Sequence, residues 1–165
     1  MNAQQLLDYI IKPTHQYMGG NYESKAANFL SLCTAAIESN CGDKIVQDNG
    51  PALGPWQMEP DTHSDTWDNC DALQSGAMLN KVASLCISGI PDNDLILSPA
   101  YACAMARLKY SMDPNPLPEY TGDSNIDSKS FYDYYKRVYN TPLGASTYDK
   151  WCTAIAANHI LKVKL

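Results

Sequence analysis

The sequence predicts a mostly α-helical single domain covering residues 1–165. Apolar residues recur at three- and four-residue spacing in several stretches, and these begin at Ser or Ser-Pro and stop near Gly, as capped helices do. No alternating run of convincing length marks a strand, although Lys44 to Asp48 is a candidate arm of a small β-hairpin. A chain of 165 residues can bury a substantial core without disulfides, and it shows no internal repeat or low-complexity tract.

The N-terminal stretch has a short apolar run interrupted by Asp8 and no basic start. It reads as a short amphipathic helix ending before Pro13, neither a signal peptide nor a membrane span. Ser24 to Asn40 is the clearest helix: Ser24 caps it, Ala26, Leu30, Cys33 and Ile37 share a face, and Gly42 sits where it stops. Asp61 to Asn69 starts as a capped turn entering a helix, and Ala72 to Ile87 reads as a core helix followed by a turn at Gly89 to Asp94. Ser98-Pro99 opens a helix through Tyr110, whose Ala102, Cys103, Ala106 and Leu108 mark it as the central buried one. Three prolines and a glycine make Asp113 to Gly122 a rigid surface loop, either the rim of a cleft or a plain linker. Helices from Ser130 to Tyr139 and from Tyr148 to Leu161 complete the chain.

Composition narrows the function classes. The formal charge of −6, with two Arg and no basic run, argues against a nucleic-acid partner. It also argues against adhesion to anionic membranes or acidic wall polymers by charge alone. Eleven Tyr against two Phe point to wet surfaces or a cleft rather than the deepest core. The six cysteines form no Cys-x-x-Cys pair, and no His lies at zinc-finger spacing, so neither a metal nor a cofactor is expected. They read as small buried hydrophobes or as disulfides formed in an oxidising compartment; Cys33 and Cys41 are too distant to pair across a regular helix.

Chemistry concentrates between Ala35 and His63. Glu38 falls in the last turn of its helix, where the negative end of the dipole and apolar neighbours such as Ile37 raise a carboxyl pKa, as a general acid requires. Two glycines and three prolines within Gly50 to Pro60 force turns that present Gln57 with little freedom. Glu59 is the candidate second carboxylate, or else a turn residue before Pro60. A separation from Glu38 of roughly 6.5 to 9.5 Å would suit inversion, and roughly 5 Å retention. His63 has three readings: positioning Glu59, contacting saccharide, or structural. Tyr132, Tyr135 and Tyr139 recur at helical spacing as a core or cleft stripe; Tyr135 and Tyr139 are candidates to stack on sugar faces. No serine-nucleophile elbow, phosphate loop or zinc-protease motif competes.

Glu38-Ser39, a loop, then Gly54-Pro55-Trp56-Gln57-Met58-Glu59-Pro60-Asp61-Thr62 resembles the Glu-Ser…Gly-x-x-Gln-x-x-Pro-x-Thr pattern of the soluble lytic transglycosylase and goose-type lysozyme group. Pro55-Trp56 stands where that group usually carries Leu-Met. The acidic residue two after Gln57, with His63 and Trp67 beyond, is closer to the goose-type form. Ala106-Arg107-Leu108-x-Tyr110, Pro116-Leu117-Pro118 and Tyr134-Tyr135-Lys136-x-x-Tyr139-Asn140-Thr141 are similar to phage-encoded peptidoglycan-degrading lysins.

The resemblance implies a lysozyme-like helical fold and a phage-type endolysin. Such an enzyme cleaves the β-1,4 bond between N-acetylmuramic acid and N-acetylglucosamine, with Glu38 as acid, Glu59 activating water and Gln57 hydrogen-bonding the sugar or ordering the loop. Its partner would be the peptidoglycan glycan strand, with no nucleic acid and no membrane insertion. The chain is expected to be a monomer made in the host cytoplasm and acting on the periplasmic wall. Two alternatives stand: a lytic transglycosylase giving 1,6-anhydro products, and a non-catalytic wall-binding or virion structural protein.

Overall fold

A computed structural model of the chain describes residues 1–141 and 144–165. The first helix, α1, does not end before Pro13. It runs through Ala3–Leu6, a π turn at Leu7–Ile11, and Lys12–Met18. The Lys12 N–H reaches back to the Leu7 carbonyl, so the α-helix restarts there and Pro13 falls in its first turn. Proline is tolerated in the first turn of a helical segment.

Helix α2, Lys25–Ser39, matches its sequence signals. Ser24 Oγ accepts the Ala27 N–H at 3.0 Å, and Asn40 closes the helix in the left-handed region at φ 54°. The Asn40 and Cys41 N–H groups return to the Ala36 and Ala35 carbonyls, so the stop comes at Asn40, ahead of Gly42. Helix α3, Pro60–Asn69, follows the loop. The single helix expected over Ala72 to Ile87 is broken into α4, Asp71–Gln74, and α5, Ala77–Ala83, because Ser75 is extended and Gly76 has φ 89°. The expected turn at Gly89 to Asp94 is instead the approach to α6, Pro91–Leu97, which starts on its own proline.

Helix α7, Pro99–Ser111, is the central one. Ser98 caps it, every residue from Tyr101 to Leu108 is buried, and it packs against α1, α2, α3, α5 and α6. A helix buried on all sides has no polar stripe to keep. Helix α8, Ser124–Tyr135, continues as a π turn over Lys136–Asn140 and begins two turns earlier than expected. Those turns are polar in sequence, yet Asp123 caps them and the buried Asp127 carboxylate accepts from Thr121 N, Thr121 Oγ1 and Gly122 N at 2.8–2.9 Å. Helix α9, Tyr148–Ala157, packs on α2 and α8 and stops short of Leu161, where His159 turns left-handed.

The fold is mostly α, around one core that includes Trp56, Tyr101, Tyr110, Phe131, Tyr135 and Trp151. The hairpin arm reduces to two isolated bridges, Val46 with Leu53 and Leu53 with Met58. Tyr residues occupy the core after all, because their hydroxyls find partners there, as Tyr110 does with Thr34 Oγ1 at 2.7 Å. No cysteine is bridged; Cys33, Cys41, Cys70 and Cys103 are buried and Cys86 and Cys152 half-buried. Among the described residues, no helix is long and apolar enough to cross a membrane, and no cluster of side chains is built to hold a metal.

Candidate active site

Two helix ends and two loops converge on a cleft of about 670 Å³. The last turn of α2 brings Glu38 and the loop after it brings Gln57 and Glu59. Tyr139 and Asn140 come from the end of α8, and Ser146 from the loop beyond. Glu38, Gln57 and Glu59 therefore meet Tyr139, about 80 residues further along the chain, on one surface.

Glu38 is half-buried, and desolvation raises its carboxyl from 4.5 to about 7. Tyr135 opposes this rise: its hydroxyl donates to Glu38 Oε1 at 2.6 Å, a bond that favours the ionised form. With that proton committed, Tyr135 Oη accepts from Ser146 Oγ at 2.9 Å. A carboxyl poised near neutrality can hold a proton and release it to a bound ligand.

The loop from Gly42 to Glu59 is fastened to the helix that carries Glu38. Ser39 Oγ donates to the Pro55 carbonyl at 2.5 Å and accepts the Gly42 N–H at 2.8 Å. Trp56, fully buried, donates its indole N–H to the Ser31 carbonyl at 2.9 Å. Gly54 has φ 74°, and a Cβ there would lie 2.1 Å from the Leu95 carbonyl oxygen. Gln57 also has positive φ, 46°, and its Nε2 donates to the Gly54 and Lys44 carbonyls at 2.8 and 3.2 Å. Both amide hydrogens are thus occupied and Oε1 is left as an acceptor.

Glu59 is exposed on the cleft at the start of α3, and among the described residues its carboxylate has no hydrogen-bond partner. It makes no capping bond to α3.

Two expected substrate contacts are corrected. His63 is 3 % exposed and does not line the cleft. Its Nδ1 donates to Asp92 Oδ1 at 2.7 Å and its Nε2 accepts from Tyr101 Oη at 2.6 Å, while Trp67 Nε1 donates to that same hydroxyl at 2.8 Å. Both ring nitrogens are committed to fixing α3 against α6 and α7. Tyr135 is fully buried, packed against Trp151 and Tyr139 at centroid distances of 5.1 and 6.3 Å, so it presents no face to a sugar. Its hydroxyl is what reaches the site. Tyr139 does line the cleft, stacked on Tyr110 at 5.1 Å and donating to the Trp56 carbonyl at 2.9 Å.

Sequence reasoning missed Ser39, Ser146 and the donor role of Tyr135. Ser39 stood inside the Glu-Ser pair and was the one with a local signal. No family model, curated protein or solved structure matches the chain.

Proposed function

We propose that the chain is an endolysin-type glycosidase that cleaves the β-1,4 bond between N-acetylmuramic acid and N-acetylglucosamine in peptidoglycan, with Glu38 as general acid. The observation that carries this reading is the Glu38 carboxyl, raised to about 7 within a cleft lined by hydrogen-bonding side chains. Because Oε1 accepts from Tyr135, the proton of the neutral acid belongs on Oε2, which has no hydrogen-bond partner among the described residues and would serve the glycosidic oxygen. Proton transfer there releases the leaving sugar as positive charge builds on the ring. Glu59, on the same cleft, is the group that activates water, and Gln57 Oε1 accepts from a sugar hydroxyl or N-acetyl N–H.

A second reading, the lytic transglycosylase, is favoured by Glu59 itself. Nothing among the described residues orients its carboxylate. A transglycosylase needs none, because the C6 hydroxyl of the substrate closes the ring.

Mass spectrometry of the soluble products from purified peptidoglycan, with Glu38→Gln alongside, tests both. Reducing-end muropeptides, absent in the variant, support hydrolysis; anhydro-muropeptides, one water lighter, support the second reading. Full lysis by Glu38→Gln sinks both. Products from neither protein would leave a wall-binding protein.

A further inference from the structure

At the other end of α2 from Glu38, about 20 Å along the helix by its rise per residue, lies a second groove of about 830 Å³. Its walls are the N-terminal turn of α2 with Tyr22 and Lys25, the face of α7 with Arg107, and the proline-rich loop with Pro116 and Pro118. It shares no lining residue with the Glu38 cleft.

Arg107 is the unusual member. Its side chain is 7 % exposed, yet no carboxylate among the described residues pairs with it. The guanidinium rests on main-chain carbonyls instead: Nε donates to Tyr22 at 3.3 Å and Nη2 to Asn21 at 2.9 Å, with the Tyr22 ring 5.3 Å from Cζ. Burial draws its pKa down from the ordinary guanidinium value, the mark of a charge stripped of water without a counter-ion. Two of five donors are used. Among the described residues Nη1 has no protein partner, and the Arg107 side chain is part of the groove wall. The acids nearby do not answer it: Asp113 is held by Arg137 at 2.7 Å, and Glu119 is exposed and, among the described residues, makes no ion pair.

We propose that this groove binds a carboxylate carried on an apolar body, with Arg107 as the anchor. The free edge of a planar guanidinium matches the two oxygens of a carboxylate, and the tyrosine and proline walls suit an aliphatic or aromatic remainder. Lys25, exposed at the mouth, adds a second positive charge that draws an anion inward. The inference does not depend on Glu38 and concerns binding alone.

NMR titration of the full chain with hexanoate, hexanamide and inorganic phosphate, following the Arg107 Nε–H and the Tyr22 ring, tests it. Hexanoate is expected to shift these signals saturably. Hexanamide, the same body without the charge, should bind about tenfold more weakly, the loss of one charge-assisted pair. Lys25→Glu, on an exposed side chain at the start of α2, should weaken hexanoate several-fold without lowering the melting temperature, since an acid there suits the helix N-terminus. Arg107→Lys keeps the charge but loses the fork and should weaken hexanoate several-fold, read at the Tyr22 ring; should it fail to fold, Lys25→Glu still decides. Equal binding of amide and acid, phosphate binding without hexanoate, or no saturable shift at all would overturn the proposal.

Discussion

The Tyr135 hydroxyl donates to Glu38 Oε1 at 2.6 Å across 97 residues of sequence, tying the end of α8 to the end of α2. Among the described residues, this bond is the interaction that holds the Glu38 pKa down against its own burial.

Removing it in Tyr135→Phe should push the Glu38 pKa above about 7. In the proposed activity the neutral acid is the active form, so the alkaline limb of the pH–rate profile should move to higher pH while the acid limb stays. The fold should lose about 1 kcal/mol, the worth of one hydrogen bond. A limb that does not move would detach Tyr135 from the chemistry.

Glu38 itself should cost stability at alkaline pH. Its folded pKa lies above its ordinary value of 4.5, so the folded state holds the proton more tightly and stability falls as pH rises from 4.5 through 7, then levels. Glu38→Gln removes this titration. The variant should match the wild type near pH 4 and exceed it at pH 8 by on the order of 2 kcal/mol, read from urea midpoints at the two values.

Asp127→Asn should destabilise the fold by about 2–3 kcal/mol through a buried acceptor turned donor. One oxygen of Asp127 accepts both Thr121 donors and the other accepts Gly122 N, so the new amide NH₂ must face a donor on either side. Chemical denaturation measures the loss, and unchanged stability would mean the loop is held by other means.

Gly54→Ala should be far more damaging than its size suggests. The left-handed φ of 74° and the Leu95 carbonyl 2.1 Å from the added methyl both oppose it, so at least about 3 kcal/mol of stability is expected to go. Thermal melting with a Gly54→Ala variant decides, since a shift of a few degrees or less would contradict the close approach.

Local signals were legible in the sequence and long-range ones were not. Ser24 and Ser98 capped their helices as their types require, and Glu38 fell in the last turn because the helix stopped where its apolar period stopped. Gln57 and Glu59 reached the same cleft as Glu38 because the intervening loop folds back on its own helix. Pro13 misled, since a proline that breaks a helix and one that starts its next segment look alike without the π turn before it. The start of α8 at Ser124 rather than Ser130 was not legible either: its first turns are polar, and Asp127 is buried there only because Thr121 and Gly122 satisfy it. His63 and Tyr135 could not be placed, because their partners lie 29, 38 and 97 residues away.

The Ser39 hydroxyl, gripping Pro55 and Gly42 at once, makes the acid and the loop facing it a single cooperative unit. Amide hydrogens at Gly54, Gln57 and Met58, each bonded within the loop or to Ile45, should therefore exchange with solvent in concert with those at the end of α2. Any partial opening that exposes the loop also dismantles the acid, so the cleft is lost whole rather than by degrees.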